Sequence, residues 1–387
     1  MMNDAQNRLV ELLQSRHPVE GFTHNFYRYP ARFAPEFARE AIMQFSNEGD
    51  CVLDAFMGGG TTIVEAISTG RTALGTDINP LAHFVATVKT TPLSFRDQER
   101  ILVWAERLSV DGGNPHRSFL SDPRLKNVPA ELRDFLISVV STVTQLEFPR
   151  QRHFARCALV KLGQWAIDCR RDVPLPETMK DQLLKQIFDM FAGLNELVQA
   201  AKSQGIAKNK MTARRKLYYG TIKEAIRDKS LAHLFPRPKL VLTSPPYPGV
   251  HILYHRWQVS GRRETPVPYW LAGLRDGHGE SFYTLGGRSK KGLEEYFDKL
   301  TKTFNDLRQL IEPSAVVIQL VAFSDPDTQL PTFLNAMHFA GYEEVKLFEA
   351  SKSERPFRQV PNRKWYTQLG LNQCASNEIL LFHRPRT

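Results

Sequence analysis

The sequence predicts an α/β fold built on a mainly parallel sheet with a helical insertion. Residues 51–80 read as strand, glycine turn, helix and strand, which makes a βαβ unit. From residue 216 onward strands and helices alternate again. Between these stretches, from about 96 to 214, helical periodicity dominates.

Within residues 1–20, Leu9, Leu12 and Leu13 recur at helical spacing and predict a short amphipathic helix. The aromatic and basic stretch G-F-T-H-N-F-Y-R-Y-P-A-R-F-A-P-E-F leads into a helix expected from Pro35 to Phe45. C-V-L-D-A-F (51–56) is a short apolar run ending in glycines, the pattern of a buried strand feeding a turn. T-T-I-V-E-A-I-S-T supplies the next helix and R-T-A-L-G-T-D-I-N-P the second strand.

Two apolar stripes mark the insertion. One is Leu132, Phe135, Leu136, Val139, Val140 and Val143; the other is Leu183, Leu184, Ile187, Phe188, Phe191, Leu194, Leu197 and Val198. Core packing explains both. Strands are expected at 216–220 and 239–247, then a loop rich in Gly, Arg and aromatics over 248–292. A helix from Gly292 to Ile311, a strand at 315–323, a helix at 329–341 and strands at 342–350 and 377–385 complete the chain. No convincing crossover helix separates the last two strands, so antiparallel pairing at one edge is open to them.

Composition narrows the function classes. A chain of 387 residues suggests two or three units, and 42% hydrophobic with 10% aromatic residues excludes a largely disordered chain. No window of ~18 apolar residues exists, so no membrane span is expected. The first residues carry acids where a signal peptide needs an apolar stretch, so export is not expected. Cys51, Cys157, Cys169 and Cys374 form no C-x-x-C pair; no metal site is expected, and a reducing cytoplasm fits. Against 41 acidic residues stand 51 Lys and Arg, a net charge of +10. That surplus suits a polyanionic partner such as nucleic acid, and equally a merely basic enzyme.

The glycine turn is Asp54-Ala-Phe56-Met-Gly58-Gly59-Gly60-Thr61-Thr62, at the carboxyl end of a strand, where ligands of open α/β sheets bind. Glycines let the backbone take positive φ and approach a ligand, and the next helix's first amides can receive an anion. Ile63 stands where a dinucleotide fingerprint needs its third Gly, and Thr61 where a Walker A loop needs Lys. A ligand with an amino-acid carboxylate, a ribose and an adenine suits such a turn; a βα turn without ligand is the plain alternative. Asp77 ends the second strand, where an acid grips ribose hydroxyls.

Thr243-Ser244-Pro245-Pro246-Tyr247 closes another apolar strand. The prolines stiffen the backbone and remove two N–H donors, leaving acceptors beside the flat ring of Tyr247. That set suits the exocyclic amino group of a stacked base; a loop that merely stops a strand is the alternative.

D-x-F-x-G-x-G-T-T, then G-T-D-I-N-P-L-A, then T-S-P-P-Y, in this order, resembles the S-adenosylmethionine-dependent DNA amino-methyltransferases, and the S-P-P-Y form resembles their N4-cytosine branch. His24-Asn-Phe-Tyr-Arg-Tyr29-Pro30-Ala-Arg32-Phe33 resembles the segment that closes over the methionine end of the cofactor in this family. The matches cover about 20–90 and 215–260, with a weaker echo in the final strands. The chain departs from the family at Tyr219-Gly220-Thr221, where an acid often contacts the adenine.

The resemblance implies a Rossmann-like methyltransferase core with a seven-stranded sheet. Residues 1–95 would be its cofactor half, 96–214 an insertion serving as target-recognition region, scaffold or lid, and 215–387 its catalytic half. It implies S-adenosylmethionine at Tyr29, Pro30, Asp54, Phe56, Gly58, Gly60, Thr61, Thr62, Asp77 and Asn79. Catalysis would fall to Ser244, Pro245, Pro246 and Tyr247, with the ring stacked on a cytosine flipped from duplex DNA. Arg256, Trp257, Arg262, Arg263, Lys290 and Lys291, in the loop 248–292, are the candidate DNA contacts, since basic and aromatic residues interleave there. Restriction–modification or phage defence, with partner proteins from such a system, is the implied setting. An adenine-N6 enzyme, an RNA methyltransferase and a catalytically silent nucleic-acid binder are the rival readings.

Overall fold

Strand β1 (Cys51–Asp54) pairs in parallel with β2 (Thr72–Asp77) on one side. The computed structural model describes residues 4–15, 17, 19–29, 32–108, 121–170, 172–228, 236–249, 256–259, 263–276, 283–346, 355–361 and 374–386. β3 (Arg215–Tyr219) continues the parallel ladder beyond β2, and β4 (Leu240–Thr243) lies parallel on the other side of β1. A separate hairpin, β5 (Trp257–Val259) with β6 (Arg263–Thr265), stands off the sheet. β7 (Val316–Ala322) pairs in parallel with β4. β8 (Tyr342–Glu344), β9 (Phe357–Pro361) and β10 (Cys374–Pro385) form the antiparallel edge.

The order is β3-β2-β1-β4-β7-β10-β8, with β9 also on β10. The expected seven strands make up this path, and β9 is an eighth. The length of β10 explains it: residues 378–383 face β7, and its other edge has room for β9 along 374–379 and β8 along 383–385. The antiparallel edge anticipated from the final strands is therefore present.

Successive strand residues face opposite sides. Val52, Leu242, Ile318 and Leu320 join one core, with α1 (Asp4–Gln14), α2 (Pro35–Phe45) and α3 (Thr61–Ser68). Leu53, Val241, Val317 and Val321 join the other. With both faces covered, β1 and β4 are buried throughout, which is why they read as continuous apolar runs. Asn79 caps α4 (Pro80–Lys89), its side chain accepting from the Leu81 amide at 2.9 Å.

The insertion contains α5 (Phe95–Glu106), α6 (Ala130–Thr142), α7 (Pro149–Ile167) and α8 (Pro176–Ser203), around its own apolar core. Asp97, in the capping box of α5, also accepts from Arg150 and Gln151 of α7, each at 2.7 Å. The stripe on α8 is buried at Leu183, Ile187, Leu194 and Leu197, but Phe188 is 54% exposed. One residue past Ile187, it sits about 100° further round the helix.

The stretch 248–292 is not one open loop. Its described residues hold the β5–β6 hairpin and α10 (Val267–Ala272), with α9 (Ile222–Arg227) preceding β4 in the chain. A Cβ at Gly163 of α7 would come within 2.8 Å of Leu271 and Trp257, so glycine there lets this segment seat against the insertion. Then α11 (Lys290–Leu310) and α12 (Pro326–Phe339) cover the second face of the sheet. Among the described residues no helix is long and apolar enough to cross a membrane.

Candidate active site

Strand order reverses between β1 and β4, because β2 lies beyond β1 and β7 beyond β4. A crevice opens beyond the carboxyl ends of strands at such a reversal. Both sequence motifs end there. Asp54 closes β1 and Thr243 closes β4, and the Thr243 hydroxyl donates to Asp54 Oδ1 at 2.7 Å. One buried hydrogen bond thus fastens the glycine turn to the Ser-Pro-Pro-Tyr turn.

Asp54 also accepts from the Phe56 amide at 3.2 Å. Asp77, at the end of β2, accepts from the Gly58 amide at 2.9 Å and the Asn79 amide at 2.8 Å. Burial raises both carboxyl pKa values to about 6, against the lowering effect of these hydrogen bonds. Gly58 and Gly60 have φ of 46° and 74°, and a Cβ at Gly60 would meet Ala86 at 2.8 Å. The turn is braced from behind by Lys89, buried, whose ammonium donates to the Gly59 carbonyl at 2.7 Å. Desolvation lowers the pKa of that lysine to about 7.

Ser244 donates to the Leu320 carbonyl at 2.8 Å and lies 3.2 Å from the Tyr247 hydroxyl. With the serine proton directed to Leu320, the lone pairs of its oxygen remain as acceptors. The Pro246 carbonyl is already taken by the Tyr296 hydroxyl at 2.6 Å. Tyr247 donates to Glu378, which also meets Arg358, and Arg358 donates to the Arg32 carbonyl at 3.0 Å.

The crevice encloses about 950 Å³ of open space, within the range of small-molecule sites. Of the expected site residues, Tyr29, Asp54, Phe56, Gly58, Thr61, Asp77, Ser244 and Pro246 line it. Gly60, Thr62, Asn79, Pro245 and Tyr247 are buried off the lining, and Pro30 falls outside the described residues. Asn79 serves the wall: its amide donates to the Tyr29 hydroxyl at 3.0 Å and accepts from the Tyr269 hydroxyl at 3.1 Å. Tyr247 is 6% exposed, so its ring offers no open face for stacking in this conformation.

The candidate DNA contacts divide. Trp257 is 2% exposed and donates to the Tyr27 hydroxyl at 3.1 Å; it is a core residue, because the insertion supplies an apolar face for it. Arg256 lies between Glu264 at 3.8 Å and Asp276 at 4.0 Å, so its charge is engaged within the fold. Arg263 is exposed, as are Lys290 and Lys291 in the first turn of α11, while Arg262 falls outside the described residues. Sequence reasoning did not assign Arg32, Phe33, Ile78, Gly220, Tyr283 or Thr303, all on the lining. Arg32 and Phe33 lay within a motif already singled out; Tyr283 and Thr303 carried no local signal.

These residues fit S-adenosylmethionine. Two buried carboxyls favour a cationic ligand in their ionised form. Each Asp77 oxygen holds one backbone N–H and keeps a second acceptor site for a ribose diol. Ile78 and Ile222 give apolar surface for a flat base.

Residues 9–87 match a family model described as DNA methylase. The Type II methyltransferase M.MvaI of Kocuria varians is 42% identical over 107 residues, 24% of this chain and 24% of that protein. The Type II methyltransferase M.MjaII of Methanocaldococcus jannaschii is 31% identical over 80 residues, 21% of this chain and 15% of that protein. The orphan methyltransferase M.BamHII of Bacillus amyloliquefaciens is 43% identical over 53 residues, 14% of this chain and 20% of that protein. The chain therefore spans about a quarter or less of the length of these relatives. Through the segment that carries Tyr29, the glycine turn and Asp77, the chain belongs to the N6/N4 DNA methylase family.

Proposed function

We propose that the protein is an S-adenosylmethionine-dependent DNA methyltransferase acting on the exocyclic N4 amino group of cytosine. The observation that carries this reading is the Asp54–Thr243 bond, which sets a cofactor-type turn and an amino-group acceptor turn side by side. Bound in the crevice, S-adenosylmethionine supplies an electrophilic methyl carbon on a sulfonium. Asp77 holds the ribose and Asp54 faces the cationic methionine end. The Ser244 hydroxyl and the backbone at Pro245 accept the two amino N–H groups, which favours a nitrogen lone pair directed at the methyl carbon. Positioning and electrostatics carry the rate. The C–S electron pair returns to sulfur, and the amino proton leaves to solvent.

Tyr247 enters this scheme as a base-stacking group only if its ring moves out of the core; where it stands, it braces Ser244. Arg263, Lys290 and Lys291 are exposed cations suited to DNA phosphates. Restriction–modification or phage defence is the proposed setting, in a reducing cytoplasm, where the free, buried Cys51, Cys157 and Cys169 remain thiols. The test is incubation with methyl-labelled cofactor and duplex DNA, followed by digestion to nucleosides. Label in N4-methylcytosine is expected. Label only in N6-methyladenine would overturn the base assignment, label in RNA alone the substrate class, and cofactor binding without transfer would favour a silent binder.

A further inference from the structure

Arg32 reaches the crevice from the segment before α2 and lines it with Asp54, Gly59 and Asp77. Its Nη1 donates to the His24 carbonyl at 3.2 Å, and among the described residues no carboxylate lies within ion-pair distance of it. Nearby arginines differ. Arg39 meets the buried Glu65 at 2.8 Å, and Arg358 meets the buried Glu378. The Arg32 main chain is itself held, since its carbonyl accepts from Arg358 at 3.0 Å. Desolvation and the nearby Arg28 lower its pKa to about 10, so it is still charged at neutral pH. A guanidinium has five N–H donors, and holding it out of water without acceptors is costly.

We propose that Arg32 binds the carboxylate at the methionine end of the cofactor. This rests on reading the crevice as an S-adenosylmethionine site. Charge complementarity supports it. Ionised Asp54 and Asp77 with Arg32 give the site one net negative charge, and the sulfonium, ammonium and carboxylate of the cofactor give it one net positive charge. The other candidate receiver is the set of amides in the first turn of α3, which the same ligand could reach. Arg32 adds a charge-assisted, bidentate partner that amides lack.

The test is calorimetric binding to the full chain of two ligands: S-adenosylhomocysteine, and its 3-aminopropylthio analogue, which lacks only the carboxylate. The unaltered protein should bind the first at least roughly tenfold tighter. Arg32→Met should bring the two within roughly twofold while leaving affinity for the analogue unchanged, which also shows that the variant is folded. Arg32→Lys should keep part of the preference, since it retains charge without the fork. A preference that survives in Arg32→Met overturns the proposal and assigns the carboxylate to the α3 amides. If Arg32→Met fails to fold, Arg32→Lys with full preference overturns it and reduced preference sustains it. Binding of neither ligand by the unaltered protein overturns the cofactor reading, and the Arg32 proposal with it.

Discussion

The hydroxyl of Tyr247 donates to the carboxylate of Glu378, a residue 131 positions later in the chain. Glu378 is 1% exposed and is shared with Arg358, so it neutralises a largely buried cation while fixing the acceptor turn from behind. Glu378→Ala should therefore cost roughly 3 kcal/mol of stability, because it strands both partners. Tyr247→Phe should cost only about 1 kcal/mol, because Glu378 keeps Arg358. Urea denaturation checks both values. The double variant should lose less than the two singles together.

Asp54 and Asp77 make stability fall with pH in a defined window. Their folded pKa values, about 6, lie above the model value of 3.8, so ionisation costs more in the fold than in the unfolded chain. The penalty is absent below 3.8, grows as pH rises, and is complete above about 6. A shift of that size corresponds to about 3 kcal/mol per group at most. Thermal melts from pH 4 to 8 should show the decline, and Asp54→Asn should flatten it. Cofactor affinity should move oppositely, rising as pH passes upward through 6, since the ionised acids attract the cationic ligand.

Ser244→Ala should leave cofactor binding intact and lower methyl transfer by about a hundredfold, the scale for losing one oriented polar partner. Asp77→Ala should reverse the pattern, weakening cofactor binding first. Calorimetry with S-adenosylhomocysteine, set beside transfer of labelled methyl, separates the two.

Trp257→Ala should destabilise the fold by about 3–5 kcal/mol through cavity formation, and its DNA affinity at low temperature should stay near that of the unaltered protein. Replacing Lys290 and Lys291 together by Ala should do the opposite. Stability should hold, and the salt slope of DNA binding should become shallower by about two. Filter binding at several salt concentrations measures the slope.

Local signals sufficed wherever a residue's environment is set by near neighbours. The helix from Pro35 to Phe45, the strands ending at Asp54, Asp77 and Thr243, and the helical insertion all follow from short-range periodicity, turns and caps. What was not legible depends on partners far along the chain. Trp257 and Arg256 share the composition of a nucleic-acid loop. Only the apolar face of α7, with Gly163 at its centre, and the acids Glu264 and Asp276 turn them into core and scaffold. Glu378 reads as one polar residue in a strand, and its role appears once the β7–β10 register sets it opposite Ala322 at the sheet edge nearest the acceptor turn. Arg32 was visible as a motif residue, but its lack of an acidic partner is a property of the folded surroundings.

The bond between Thr243 and Asp54 joins the ends of two adjacent strands, and neighbouring strands in a sheet stand about 4.8 Å apart. The gap between donor and acceptor sites is therefore ruled by main-chain pairing, the least variable dimension a protein has. Recognition segments hung around the crevice can diverge, lengthen or be exchanged without recalibrating the reach of the transfer. In this architecture, choice of target and distance of chemistry are separable inheritances.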